Sequence, residues 1–169
     1  MFKVGDKIVH PAHGAGVIAL IEQKDVLDEF NRYYVIELAA QDMRLMVPVR
    51  TAEEIGLRKV ASKRQSKQVL GILGGEAESL PDDFKERQAL LTERLREGDL
   101  MSLAGVVRDM AARSQEKTYS PTEARLYEQA RTMLGGELAL VLSTEVEEAL
   151  NKIDSITGAT GDGATGKSG

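Results

Sequence analysis

The sequence predicts an α+β chain, with a small, strongly bent β-barrel followed by a compact all-α domain of about five helices. Two observations carry that expectation. Before residue 59, apolar residues fall in short, β-branched runs separated by turns rich in Gly and Pro. From Ser62 the apolar period changes from about 2 to about 3.6. With 42% apolar residues in 169, the chain can bury a core, although each domain would be small.

Gly5-Asp6 starts a turn, and Lys7 to His10 reads as a short strand that Pro11 ends, because proline has no N–H for the ladder. Gly14 and Gly16 offer the positive-φ freedom that a turn or bulge needs. Val17 to Glu22, Arg32 to Leu38 and Met43 to Val47 read as further strands, with Gln41-Asp42 at the last turn. Short strands this closely spaced suggest the barrel, and Glu53 to Lys59 reads as the chain leaving it.

Ser62-Lys63-Arg64-Gln65 is a capping box, Val69, Leu70, Ile72 and Leu73 form an apolar face, and Gly74-Gly75 stops the first helix. A second helix starts near Pro81-Asp82-Asp83, with Phe84, Leu90, Leu91 and Leu95 as its stripe and Gly98 at its end. Asp99 caps a third, in which Leu100, Leu103, Ala104, Val107, Met110 and Ala111 keep helical spacing. Ser120-Pro121-Thr122-Glu123 joins an N-cap serine, a first-turn proline and a capping glutamate. Gly135-Gly136 lies inside that fourth helix, which implies close approach of another backbone. Thr144 to Glu147 opens a last short helix bearing Leu150 and Ile153. From Ser155 the chain has little to bury, so 154–169 is predicted to be a disordered tail. The domain boundaries read as 1–59 and 60–153.

Composition excludes several functions. There is no cysteine, hence no disulfide and no thiolate metal site. No apolar run approaches the roughly 18 residues of a membrane span, and the N-terminus lacks the apolar core of a signal peptide. A soluble, cytoplasmic monomer without cofactor or metal is expected. Net charge is −5, the wrong sign for a simple nucleic-acid binder. By segment, 1–59 carries 8 basic and 9 acidic groups, 60–117 carries 10 of each, and 118–169 carries 4 and 8. DNA contact must therefore use local patches and lean on a partner for affinity.

Several segments resemble one known family. Pro11-Ala12-His13-Gly14-Ala15-Gly16, Tyr33-Tyr34, the strand from Met43 to Pro48 and Ile55-Gly56-Leu57-Arg58 are similar to the CarD/CdnL family of bacterial transcription regulators. The same module serves as the RNA-polymerase-interacting domain of the transcription-repair coupling factor. Leu80 to Phe84, Val106 to Asp109, Glu123 to Leu126 and Ala130 to Leu138 continue the likeness through the helices. The resemblance implies a Tudor-like barrel that docks on the RNA polymerase β subunit, with Lys24, Val26, Arg44 and Met46 on or beside the contact. It also implies a helical domain that meets promoter DNA at the upstream edge of the melted bubble through Phe84, Lys85, Arg87 and Arg125. The family typically has a tryptophan wedge at the position of Phe84, and this chain has none. Phenylalanine is also an intercalating residue, and the alternative is that Phe84 packs in the core. Ala89 and Ala124 stand where the family has basic residues. The implied function is non-enzymatic stabilisation of the open promoter complex. The alternative is a polymerase-binding adaptor whose helices contact a protein.

Other motifs read more plainly. Gly161 to Ser168 matches a phosphate-binding loop, but no apolar strand precedes it and no helix can follow it, so a chance match is the better reading than a nucleotide hydrolase. His10 and His13 lack further metal ligands nearby and read as turn residues. Lys63, Arg64 and Lys67 cluster on the first helix, as do Lys85, Arg87, Arg94 and Arg96 on the second. Each group is either a solvated face or a contact surface.

Overall fold

The computed structural model describes residues 1–26 and 29–158, side chains at 25–30 excepted. β1 (Lys7–His10), β2 (Gly14–Val26), β3 (Glu29–Leu38), β4 (Arg44–Pro48) and β5 (Arg58–Lys59) form one antiparallel sheet in the order β4-β3-β2-β1-β5. The sheet does not close, which corrects the expected Tudor-like barrel. β4 and β5 are opposite edges, and β5 has only two residues, too few to bridge back to β4. Side chains from outside the strands cover the inner face of the sheet. Phe2, Ala52 and Leu57 pack with Ile8, Ile18, Tyr34, Ile36, Leu38 and Val47 in one core cluster. Tyr34 is 1% exposed, and its hydroxyl accepts the Phe2 N–H at 3.0 Å. The fifth strand falls within the stretch read from sequence as leaving the sheet.

The two turn glycines act differently from one another. Gly14 has φ +90°, as expected of a turn. Gly16 does not need a positive φ. A Cβ there would sit 2.5 Å from the Glu37 carbonyl oxygen, so glycine is required by the closeness of β3.

Five helices follow: α1 (Lys63–Leu73), α2 (Phe84–Glu97), α3 (Leu100–Ser114), α4 (Pro121–Leu142) and α5 (Val146–Thr157). Both capping boxes form, Ser62 with Gln65 and Ser120 with Glu123. Asp83 and Asp99 cap α2 and α3. The helices enclose a second core that includes Val69, Leu91, Leu103, Met110, Leu134, Leu138 and Ile153. α5 runs through Thr157 and ends at Gly158 with φ +78°, so Asp154 to Thr157 of the expected tail are helical, with Asp154 buried. The phosphate-loop pattern at 161–168 lies outside the described residues.

α4 packs against β2 and joins the sheet to the helices. Met133 lies beside Gly14, and Gly136 lies beside Ala15 and Ala40. Lys7 Nζ donates to the Leu140 carbonyl at 2.8 Å. The strongest link is buried. Glu137, 1% exposed, accepts from both terminal nitrogens of Arg58 and from the Ala61 N–H.

Candidate functional site

One candidate surface is the outer face of the sheet. β-strand alternation sends Tyr34, Ile36 and Leu38 into the core and Tyr33, Val35 and Glu37 outward. On the edge strand β4, Arg44 and Met46 share that outer face, while Val47 points inward. In register, Leu20, Val35 and Met46 line up across β2, β3 and β4. Leu20 and Met46 are 40% and 42% exposed, and Val35 lies buried between them. Arg44 pairs with the facing Glu37 at 3.4 Å, both exposed.

Sequence alternation alone assigns Leu20 to the core, two residues after the buried Ile18. A register shift between Ile18 and Leu20 turns it outward. A β-bulge does this by inserting one residue into a single strand, which flips every side chain beyond it. Leu20 and Val35 are therefore parts of this surface that the sequence reading missed. A bulge leaves no local sequence signal here. Lys24 is exposed on β2 opposite Asn31. Val26 ends β2 opposite Glu29, and its side chain is outside the described ones.

The second candidate surface is the start of α2. Phe84 is its first residue, 45% exposed and outside both core clusters. Its expected place in the apolar stripe of the helix is not the one observed; Leu91 and Leu95 are buried, Phe84 is not. The Arg87 guanidinium lies 5.8 Å from the ring centroid, within reach of a cation–π contact. Arg87 itself is 5% exposed. Its Nε donates to Glu123 at 2.6 Å, and its Nη1 donates to the carbonyls of Pro81 and Asp82 at 3.0 and 2.9 Å. Arg113 approaches the same Glu123 carboxylate at 3.5 Å without a hydrogen bond from its buried Nε.

This arrangement also acts on Glu123. Burial pushes its carboxyl up, but the Ser120 N–H and the Arg87 guanidinium together hold it below the usual range. The result is a rigid base for the turn that presents Phe84. Lys85 is exposed next to the ring.

Arg125 is not brought to Phe84 by this cluster. It is exposed two residues after Glu123, on another side of α4. There it lines a cleft of about 390 Å³ with His13, Gly14, Ala40, Gln41 and Met133. The His13 and His10 rings are tilted at 55° to each other with centroids 4.8 Å apart, and the Nδ1 of His10 accepts the Ala12 N–H at 3.0 Å. Burial, then the neighbouring His13, lowers the His10 pKa. Among the described residues no group of three His, Cys, Asp or Glu side chains is placed to hold a metal ion. No helix among them is long and apolar enough to cross a membrane.

The described residues thus form an open sheet with Leu20 and Met46 exposed on its outer face, joined to a helical bundle that presents Phe84. Comparison with known proteins defines the family. Residues 2–61 match the CarD-like/TRCF RID domain, and residues 68–154 match the CarD C-terminal domain. The chain is 33% identical over 142 residues to the "Putative transcription factor YdeB" of Bacillus subtilis (strain 168), covering 83% of this chain and 92% of that protein. The chain belongs to the CarD/CdnL family and is a transcription regulator of that type, not an enzyme.

Proposed function

We propose that this regulator stabilises the open promoter complex by docking on the RNA polymerase β subunit and carrying Phe84 to DNA. Residues 1–59 act as the docking domain, and residues 60–153 act as the domain that meets the upstream edge of the bubble. The edge strand β4 offers unpaired main-chain groups to a partner strand, and Leu20, Met46, Arg44 and Lys24 supply side-chain contacts. Docking raises the local concentration of a protein whose net charge of −5 makes it a weak DNA binder alone.

The observation that carries this reading is the exposure of Phe84, 45%, on a turn locked by the Arg87–Glu123 pair. An apolar ring held outside the core is suited to insert between base steps and oppose reannealing. Lys85 meets a phosphate beside it, and Arg125 meets one from its own face of α4. Arg87 positions the ring from inside and does not contact phosphate.

The test is the decay of polymerase–promoter open complexes with Phe84→Ala protein. The expected result is a shorter lifetime with unchanged binding to the β lobe. An unchanged lifetime removes the wedge. Burial of Arg87 favours a second reading, in which Phe84 seats in a protein partner, because it leaves few free cations around the ring. Footprinting of the promoter complex distinguishes the two: a protein partner leaves the upstream edge of the bubble unprotected.

A further inference from the structure

Between Glu54 and Glu76 the chain has no acidic residue, yet it carries Arg58, Lys59, Lys63, Arg64 and Lys67. Arg58 is bound to Glu137. The last three lie in the first two turns of α1 and are exposed. Lys67 is four residues from Lys63 and three from Arg64, so the three form one group on the helix surface. None of them pairs with a described carboxylate. Most arginines of the neighbouring helices are bound differently: Arg87, Arg94, Arg96, Arg108 and Arg131 have carboxylate partners, whereas Lys85, Arg125 and Lys152 are exposed cations without a described carboxylate partner, one on each of α2, α4 and α5.

The group also sits at the unfavourable end of its helix. α2, α4 and α5 have acidic residues in their first turns, and α3 opens on Asp99. α1 has no acidic residue, and its capping box uses the neutral Gln65. Cations beside the positive end of a helix destabilise it, as do like charges four residues apart. The capping box and the buried Val69 and Leu73 hold the helix, but no described carboxylate neutralises these charges, whereas an external polyanion does. Sequences break local rules of this kind at functional sites.

We propose that Lys63, Arg64 and Lys67 form a second DNA contact, a phosphate-binding face on α1 separate from Phe84. The inference rests on the reading that the helical part meets promoter DNA. Arg58 donates to the carbonyl of Gly98, the C-cap of α2, and Glu137 binds both Arg58 and the N–H of Ala61. α1 therefore starts near the C-terminal end of α2, whereas Phe84 is at the other end. With 14 residues, α2 is about 21 Å long. That span equals about six base steps of duplex at 3.4 Å each. The cations thus meet the backbone well away from the wedge.

DNA is favoured over an acidic protein by the company the cations keep. The exposed residues of this face are Lys63, Arg64, Gln65, Lys67, Gln68 and Gly71. A protein interface centres on buried aromatic or apolar side chains, and a phosphate track does not.

Full-length Lys63→Gln/Arg64→Gln/Lys67→Gln protein and its parent are titrated onto preformed polymerase–promoter complexes across a salt series. The log–log salt slope of the variant should be shallower by about 0.9 for each phosphate it no longer neutralises, up to about 2.7 for all three. Its melting temperature should equal or exceed that of the parent, because cations have left the positive helix end. An unchanged slope overturns the proposal. A photo-cross-linker at the exposed Gln68 leaves the cations intact and decides the case if the triple variant melts low. It should label upstream duplex DNA, and labelling of polymerase subunits alone overturns the proposal. Phe84→Ala run in parallel separates the two readings. A shortened lifetime there with an unchanged triple-variant slope removes only the α1 contact. No effect of Phe84→Ala together with no DNA label removes the DNA reading itself.

Discussion

Glu137 binds Arg58 through two parallel hydrogen bonds of 2.9 Å, one from each terminal guanidinium nitrogen, with the carboxylate 1% exposed. The same carboxylate takes the Ala61 N–H at 2.8 Å, and Arg58 reaches on to the Gly98 carbonyl at 3.2 Å. The chain is thus held on both sides of Val60, where it passes from sheet to helices. One buried acid on α4 ties β5 and the entry to α1 together, and Arg58 carries the link to the C-terminal end of α2. On the proposed function, in which the sheet docks and Phe84 meets DNA, such a bracket would set where Phe84 arrives.

Removing that acid should be costly. Glu137→Ala leaves the Arg58 charge without its partner and the Ala61 N–H without an acceptor. Breaking a fully buried pair costs about 3–5 kcal/mol; here Arg58 is 36% exposed and can turn to solvent, so about 2–3 kcal/mol is expected. Urea unfolding measures it. Arg96→Ala, which breaks an exposed pair with Glu93, should leave the transition where it is.

The Glu123 carboxylate supplies a pH-dependent prediction. Its folded pKa is lower than the unfolded value of about 4.5, despite burial, because Ser120 and Arg87 bind the charged form. A depressed acid adds stability above the unfolded pKa and loses it as pH falls through the folded pKa. Glu123→Gln should therefore be less stable than the parent at pH 7, and the difference should shrink below about pH 4.5. Paired urea titrations at pH 7 and pH 3 check the sign. A difference that grows in acid would show that Glu123 is not the stabilising anion.

Much of the helical part was legible because its signals are local. Ser62 with Gln65 and Ser120 with Glu123 are three residues apart, and each pair closes its own helix end. Asp83, Asp99, Gly98 and Gly74 act the same way. The sheet was less legible because closure depends on partners far apart in sequence. Short strands and tight turns fit a barrel, but they do not show that β5 would be a two-residue edge strand or that Phe2, Ala52 and Leu57 would pack into the sheet's core. The outward Leu20 depends on a register shift that alternation cannot reveal. Arg87 looked like a surface cation in sequence, and only the fold brings Glu123, 36 residues later, to bind it.

The outer sheet face should respond to charge at Leu20, which the bulge turns outward, and at Met46, which β4 presents beside it. Leu20→Asp and Met46→Asp each put a carboxylate on the apolar row beside Val35. Both side chains are already partly in water, so stability should change by less than about 1 kcal/mol. If this face docks on the polymerase β lobe, each change weakens that binding at least tenfold, about 1.4 kcal/mol. Phe84→Ala leaves it unchanged. Equal affinity of the Leu20→Asp protein and its parent would take the row out of the interface.

Gly135 makes the sharpest packing prediction. The close neighbour implied by two glycines inside α4 is a side chain rather than a backbone. A Cβ at Gly135 would sit 2.5 Å from Cδ2 of Leu150 and 3.1 Å from its Cγ, on α5. At Gly136 the nearest atom, Cβ of Ala40, is 3.5 Å away, an ordinary contact. Alanine gains about 1 kcal/mol of helix propensity over glycine. At Gly135 that gain is opposed by overpacking of about 1–3 kcal/mol, because Leu150 must leave its position. Gly135→Ala should therefore destabilise the parent. In a Leu150→Ala background the obstruction is gone, and the same change should stabilise. The double-mutant cycle should yield a coupling of about 1–3 kcal/mol, read from urea midpoints of the four proteins. Additive effects would mean that α5 shifts to admit the methyl group and that the α4–α5 contact is softer than its geometry implies.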